Sequence, residues 1–214
     1  MLRLFYGGTF DPVHNGHLAV AAAAHAELSA DVVLLPAADP PHRPPTGASA
    51  AQRSQMLRLA VQALPYCRVD ERELRRAGPS YSVDTLKEIR REIGPDQPLA
   101  WLLGADSFRS LASWHHWREL FGLAHFVVAI RPGHDIDRLA EPLHSACSGR
   151  WTEQAQALAA TAAGRLYRLV LPPRPESATA VRRSFATGEG DLGWLPPAVA
   201  AYVREQGLYR SQGI

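Results

Sequence analysis

The chain is expected to fold as a doubly wound α/β domain, a parallel sheet with helices on both faces. Two observations predict this. Short continuous apolar runs recur, among them Leu2 to Tyr6, Asp31 to Pro36, Pro98 to Gly104, Phe126 to Ile130 and Tyr167 to Leu171. They are too short for helices and suit fully buried strands. Segments with helical periodicity separate them, and continuous apolar strands joined through helices belong to parallel sheets covered on both sides. At 214 residues and 46% hydrophobic composition, a single domain spanning 1–214 has ample material for a core.

Taken in order, the strand Leu2–Tyr6 gives way to a glycine-rich turn and a helix over Asn15–Leu28, alanine-rich and favourable by propensity. After the second strand, Ala37 to Ser49 is a loop, because Pro40-Pro41-His42-Arg43-Pro44-Pro45 fits neither a helix nor a central strand. Met56, Leu57, Ala60, Val61 and Leu64 mark one side of a helix over Ala50–Leu64. Arg68–Glu71 reads as a short strand. Ser82 is expected to cap the next helix, whose buried stripe is Leu86, Ile89 and Ile93 and whose end is Gly94-Pro95. The strand Pro98–Gly104 leads into a helical, aromatic segment over Ser107–Leu120. After Phe126–Ile130, residues 134–164 read as an alanine-rich helical insertion at the periphery. The strand Tyr167–Leu171 stops at Pro172-Pro173, and residues 173–214 form a helical C-terminal part. There Ser177 caps one helix and Pro196-Pro197 starts another over Ala198–Gln206.

Net charge is +2 from 23 basic and 21 acidic side chains, too balanced to hold nucleic acid or a membrane by bulk charge. No charged-then-apolar leader opens the chain, and no run approaches the roughly 18 apolar residues of a membrane span. Cys67 and Cys147 have no metal-ligand spacing and read as reduced thiols. A cytoplasmic protein is the expectation.

Chemistry concentrates where strands end. Gly7-Gly8-Thr9-Phe10-Asp11-Pro12-Val13-His14-Asn15-Gly16-His17 joins the first strand to the first helix. Helix starts hold anions, because their first N–H groups are unpaired and the dipole favours negative charge. His14 and His17 share a face at that start, and Gly16 between them lets a bulky group approach the backbone. Parallel sheets bind ligands beyond the carboxyl ends of their strands. Pro40–Arg43, Gly104–Asp106, Trp114–Trp117 and Ser177–Arg183 all follow strands and are expected to converge on that edge. Two histidines and Arg182 at helix starts suit a polyphosphate. No serine or cysteine is placed beside a base as a nucleophile, so direct phosphoryl or nucleotidyl transfer is favoured. Neither the dinucleotide glycine fingerprint nor the P-loop lysine motif is present.

The pattern Gly7-Gly8-Thr9-Phe10-Asp11-Pro12-x-His14-x-Gly16-His17 resembles the signature of the H-x-G-H nucleotidyltransferases, and most closely the bacterial nicotinate-nucleotide adenylyltransferase family. Four later segments match that family in order: Pro40-Pro41-His42-Arg43, Tyr81 to Leu86, Leu103 to Asp106 with Trp114, and Ser177 to Arg182. The resemblance implies a Rossmann-like sheet and transfer of the adenylyl group of ATP to nicotinate mononucleotide, with Mg²⁺ held mainly by the phosphates and water. It implies that His14, His17 and Arg182 form the catalytic set. Gly7, Gly8, Thr9, Phe10, Gly16, Gly104, Asp106, Ser177 and Thr179 would bind ATP. Arg43, Thr85, Trp114 and His115 would bind the mononucleotide, Trp114 by stacking on the pyridine ring and the backbone near Thr85 and His115 by taking its carboxylate. Arg43 stands where the family has lysine and Ala178 where it has serine.

The same residues suit two rival readings. They are another H-x-G-H transferase, such as a pantetheine-phosphate adenylyltransferase or a cytidylyltransferase, and a non-catalytic nucleotide sensor. A homo-oligomer stays open. Asp11-Pro12 can be a simple turn, Arg72, Arg75 and Arg76 read as a solvated face, and Trp117 with one of His115 and His116 reads as packing. His125 reads as a surface or satisfied core residue.

Overall fold

Strand order explains where a site can form. In a computed structural model describing residues 1–38, 47–130, 136 and 138–210, seven strands form one sheet: β1 (Arg3–Gly8), β2 (Val32–Pro36), β3 (Cys67–Val69), β4 (Leu99–Gly104), β5 (His125–Ile130), β6 (Trp151–Thr152) and β7 (Leu166–Val170). Their spatial order is β3-β2-β1-β4-β5-β7-β6, and every neighbouring pair is parallel. The chain winds outward from β1 through β2 to β3, then crosses to β4 on β1's other side. The gap beyond the carboxyl ends of β1 and β4 is the switch point where open α/β sheets take ligands.

Helices cover both faces. On one lie α1 (Asn15–Leu28), α2 (Ala50–Val61), α9 (Ala178–Ala186) and α10 (Pro197–Glu205). Their Val20, Met56, Val181 and Val199 pack with Leu4, Tyr6 and Leu102. The other face carries α4 (Ser82–Ile93), α5 (Ala105–Arg109), α6 (Trp117–Leu123) and α7 (Leu143–Cys147). There Leu86, Phe108, Leu120 and Leu143 pack with Phe5, Trp101 and Leu103. The division follows the two-residue alternation of each strand. Both α3 (Arg72–Arg75) and α8 (Ala157–Ala160) are single turns. No helix among the described residues is long and apolar enough to cross a membrane.

The expected doubly wound sheet is present, and α1 spans the expected residues. Several local expectations need correction. Ser82 is the first residue of α4 rather than its cap: Tyr81, with extended backbone, holds that position. The third strand ends at Val69, and Glu71 instead precedes α3. The expected helix over Ser107–Leu120 is broken, because α5 starts directly at Ala105, a 3-10 turn covers Leu111–Ser113, and His116 turns the chain at φ +49° before α6. A helix cannot pass through that left-handed residue.

The described residues within 134–164 do not form a helical unit. They hold two short helices and the edge strand β6, and Leu143, Cys147 and Leu158 are buried in the cores. Pro142 before α7 and Gly149 at φ +70° after it interrupt helix growth. The arginine face is also largely not solvated. The Arg72 side chain is 11% exposed and pairs with Asp70, Glu88 and Glu92. Arg76 bonds Ser80, Thr85 and Glu88, and only Arg75 stands in water.

Candidate active site

The segment from Gly7 to His17 leaves β1 and enters α1 through a tightly tied loop. Gly7 points to the α4 face, where a β-carbon would lie 2.4 Å from Cζ2 of Trp101; at Gly8 it would lie 3.0 Å from the Phe10 ring. Both glycines therefore have an internal packing reason. Phe10, itself at φ +51° and buried, meets Tyr6 and His17 edge-on at 5.3 and 5.1 Å. His14 caps α1 with extended backbone, and its ring stacks on that of His17, centroids 3.7 Å apart at 28°. The His14 amide donates to Nδ1 of His17 at 3.3 Å. An accepting Nδ1 puts the neutral ring's proton on Nε2, the tautomer that offers a donor to a phosphoryl oxygen.

Asp11 is more than a turn. Buried at 6% exposure, its carboxylate accepts from the Gly47 amide at 2.8 Å, the Ala48 amide at 3.1 Å and the Tyr209 hydroxyl at 2.7 Å. Its carbonyl accepts from Nη1 of Arg182 at 2.7 Å. The first loop, the lead into α2, the turn after α10 and the α9 arginine thus meet at one residue. Arg53, on α2 and fully buried, donates from Nη1 to the carbonyls of Thr9 and Ala37. It ties the loops after β1 and β2 and sets a cation behind the first.

Arg182 is brought to this loop from α9, and its Nη2 lies 3.4 Å from Thr179 Oγ1. Ser177 caps α9 as expected, its side chain accepting from the Ala180 amide. Glu176, buried just before it, is held below the ordinary carboxylate range by its bond from Arg174, with a smaller contribution from nearby His14. Asn15 donates from its amide to the Trp194 carbonyl and from its side chain to that of Gly193, so the C-terminal part encloses the start of α1.

A second cluster lies on the opposite face of the sheet. Tyr81, at the start of α4, lies against His115 with ring centroids 4.3 Å apart. Trp114, half-buried, lies between the 3-10 turn and α6, while Trp117 is in the core. Thr85 is fully buried: its hydroxyl donates to Glu73 and accepts from Arg76, and its amide donates to the Tyr81 carbonyl. Burial pushes the Glu73 carboxyl up, against the pull of Thr85, Ser80 and Arg76. Gly104 ends β4, next to β1 in the sheet, and Asp106 lies in the first turn of α5; a β-carbon on Gly104 would meet nothing within 4 Å, and Asp106 is exposed and paired with Arg109. Gly16 is buried in the first turn of α1. The Pro40–Arg43 segment lies outside the described residues.

The structure therefore joins His14, His17, Arg182 and Thr179 through one loop, and gathers Thr85, Trp114 and His115 around the start of α4. Asp11, Arg53, Glu73 and Tyr209 were not singled out as functional from sequence. Asp11 carries a signal as part of the Gly7–His17 signature, and Arg53 as a member of the buried stripe of Met56, Leu57 and Ala60. No group of three or more His, Cys, Asp or Glu among the described residues is arranged to hold a metal ion.

Comparison with known proteins shows the family of the chain. Residues 5–184 match the cytidylyltransferase-like family. A relative from Stenotrophomonas maltophilia (strain K279a), named probable nicotinate-nucleotide adenylyltransferase, is 56% identical over 98% of this chain and 97% of its own. One of the same name from Laribacter hongkongensis (strain HLHK9) is 50% identical, covering 97% and 94%. The fold is similar to that of Plasmodium falciparum nicotinic acid mononucleotide adenylyltransferase complexed with NaAD, at a TM-score of 0.71, 18% identity and 97% coverage of both chains. With its histidine pair, arginine and switch-point loop in place, the chain is a nucleotidyltransferase and belongs to the nicotinate-nucleotide adenylyltransferase family.

Proposed function

We propose that the chain transfers the adenylyl group of ATP to nicotinate mononucleotide, giving nicotinate adenine dinucleotide and pyrophosphate. The observation that carries this reading is the stacked His14–His17 pair at the start of α1, with Arg182 bound to the same loop. ATP enters as its Mg²⁺ complex, the metal travelling on the substrate's phosphates. A 5′-phosphate oxygen of the mononucleotide forms a bond to the α-phosphorus as the bond to the α–β bridging oxygen breaks, and pyrophosphate departs with the electron pair. His14 and His17 donate to the α-phosphate oxygens as charge develops there. Arg182, Thr179 and the Ser177-capped start of α9 hold the departing phosphates.

Around this centre, Gly7 to Phe10 and Gly16 shape the wall along ATP, and Gly104 and Asp106 serve its ribose. Trp114 stacks on the pyridine ring, Arg43 meets the mononucleotide phosphate, and the backbone of His115 and of the first turn of α4 takes the carboxylate. Because the Asp84 and Thr85 amides both donate to the Tyr81 carbonyl, the amides of Ser82 and Val83 at the start of α4 carry that task in this reading. We place the reaction in the cytoplasm; in support, Cys67 and Cys147 are free and buried, their thiols pushed up to about 11 by burial.

Pyrophosphate release with MgATP and a panel of acceptors tests the assignment. Turnover with nicotinate mononucleotide, well above that with nicotinamide mononucleotide, is expected. Turnover only with phosphopantetheine, or only with CTP, overturns it, and nucleotide binding without any turnover favours a sensor.

A further inference from the structure

We propose that Tyr209 is a positioning residue that keeps Asp11 from capturing Arg182, and so aims the Arg182 guanidinium at the departing phosphates. The inference rests on the reading of Arg182 given above. Tyr209 lies past α10 and beyond the stretch matched by the family model. Its chain is turned back by Gly207 at φ +62°, with the Leu208 amide donating to the Val203 carbonyl and the Leu208 side chain in the core. Tyr209 itself sits at φ +63°, a left-handed conformation that bulky side chains adopt only when their surroundings enforce it.

Those surroundings are the site. The Tyr209 ring packs on Gly47, where a β-carbon would lie 2.9 Å from two ring atoms and 3.3 Å from Cδ of Arg182. Ring, glycine and arginine stem thus form one packed unit. The Tyr209 hydroxyl donates to Oδ1 of Asp11 at 2.7 Å, and the amides of Gly47 and Ala48 complete the carboxylate's shell. Held this way, the carboxylate stays 3.9 Å from Nη1 of Arg182, and that nitrogen bonds the Asp11 carbonyl instead. Burial and the Asp11 carboxylate both raise the Tyr209 pKa, so the hydroxyl remains a donor.

Removing the hydroxyl leaves Oδ1 with the Ala48 amide and Oδ2 with the Gly47 amide, and loosens the carboxylate in its seat. A buried carboxylate that loses a donor draws on a cation within reach, and Nη1 of Arg182 is already 3.9 Å from Oδ2. Closer pairing would neutralise the guanidinium and draw it away from Thr179 and from the phosphate path. Tyr209→Phe keeps the ring on Gly47 and removes only this restraint.

The test is steady-state kinetics on Tyr209→Phe, Arg182→Ala and the double variant, each assayed well below its melting temperature. Tyr209→Phe is expected to lower kcat/KM for MgATP by about tenfold, to leave KM for the mononucleotide unchanged, and to have no further effect in the Arg182→Ala background. An unchanged kcat/KM for MgATP in Tyr209→Phe overturns the proposal. So does an equal loss with and without Arg182, which would mean that Tyr209 acts on stability or on another group. Wild-type kinetics in Arg182→Ala overturn the reading of Arg182 and this inference with it. If Tyr209→Phe does not fold, Gly47→Ala, which pushes on the same ring and arginine stem, is compared across the same two backgrounds and is held to the same non-additivity.

Discussion

Trp101 on β4 is in register with Phe5 on β1, and its indole leans diagonally over Gly7, occupying the space where a side chain on Gly7 would be. The aromatic ring is buried with the α4-side core, and its nearest atom is 2.4 Å from the missing β-carbon. Gly7→Ala should therefore destabilise the fold by about 1–3 kcal/mol through overpacking. Trp101→Phe should recover part of that loss in the double variant, making the two changes non-additive in denaturant titrations. Strict additivity would show that the two residues do not compete for the same space.

Removal of the His17 ring takes away the acceptor of the His14 amide and, in the proposed mechanism, a donor to the α-phosphate. His17→Ala should lower kcat by about 10²–10³, the usual loss for a preorganised transition-state donor. Stability should fall by only about 1 kcal/mol, the scale of a lost helix cap. Turnover within a few-fold of wild type, with the fold intact by circular dichroism, would remove His17 from the proposed chemistry.

Trp114 is half-buried and directly precedes His115, whose ring lies against Tyr81, and stacking on the pyridine ring is its proposed role. Trp114→Ala should raise KM for nicotinate mononucleotide by an amount equivalent to about 1–3 kcal/mol of stacking, with KM for MgATP unchanged. Trp114→Phe should restore most of it. A rise in both KM values would instead indicate general damage to the segment between α5 and α6.

His125 provides a pH test that is independent of catalysis. Fully buried, it accepts the Arg165 amide at Nδ1, so Nε2 carries the proton and donates to the Thr161 carbonyl at 2.8 Å. Burial lowers its pKa from 6.5, so the folded state resists protonation. Its contribution to stability is present above about 6.5 and is lost as pH falls toward the folded-state value. His125→Gln should be less stable than wild type by about 1 kcal/mol at pH 8, and the gap should narrow from pH 7 to pH 5. Parallel stability curves would reject the linkage.

The fold was legible where a pattern has one dominant cause. Strands covered on both faces read as unbroken apolar runs, and α1 could be bounded from its alanines and the histidines at its start. Residues 134–164 were misread because alanine propensity was visible while the pairing of β6 with β7, only two residues long, was not. His116 hid its left-handed turn inside an aromatic run. At the site, the motif histidines could be named because their chemistry is local to a helix start, and Arg182 because it closes the short segment that Ser177 opens, in the middle of α9. Asp11 could not be understood from its neighbours, since its partners Gly47 and Tyr209 lie 36 and 198 residues away. Arg72 and Arg76 were assigned to solvent for the same reason: the carboxylates that hold them come largely from α4.

Arg53 has a consequence for how the site responds to its medium. Mobile ions screen charges that stand in water, whereas a fully buried cation keeps its field over short range. Arg182 is partly open to solvent and Arg53 is closed beneath Thr9. Rising ionic strength should thus weaken the long-range capture of a polyphosphate while leaving the polarity of the loop around it largely intact. The association rate should then carry most of the salt dependence, and the residence of the bound nucleotide very little.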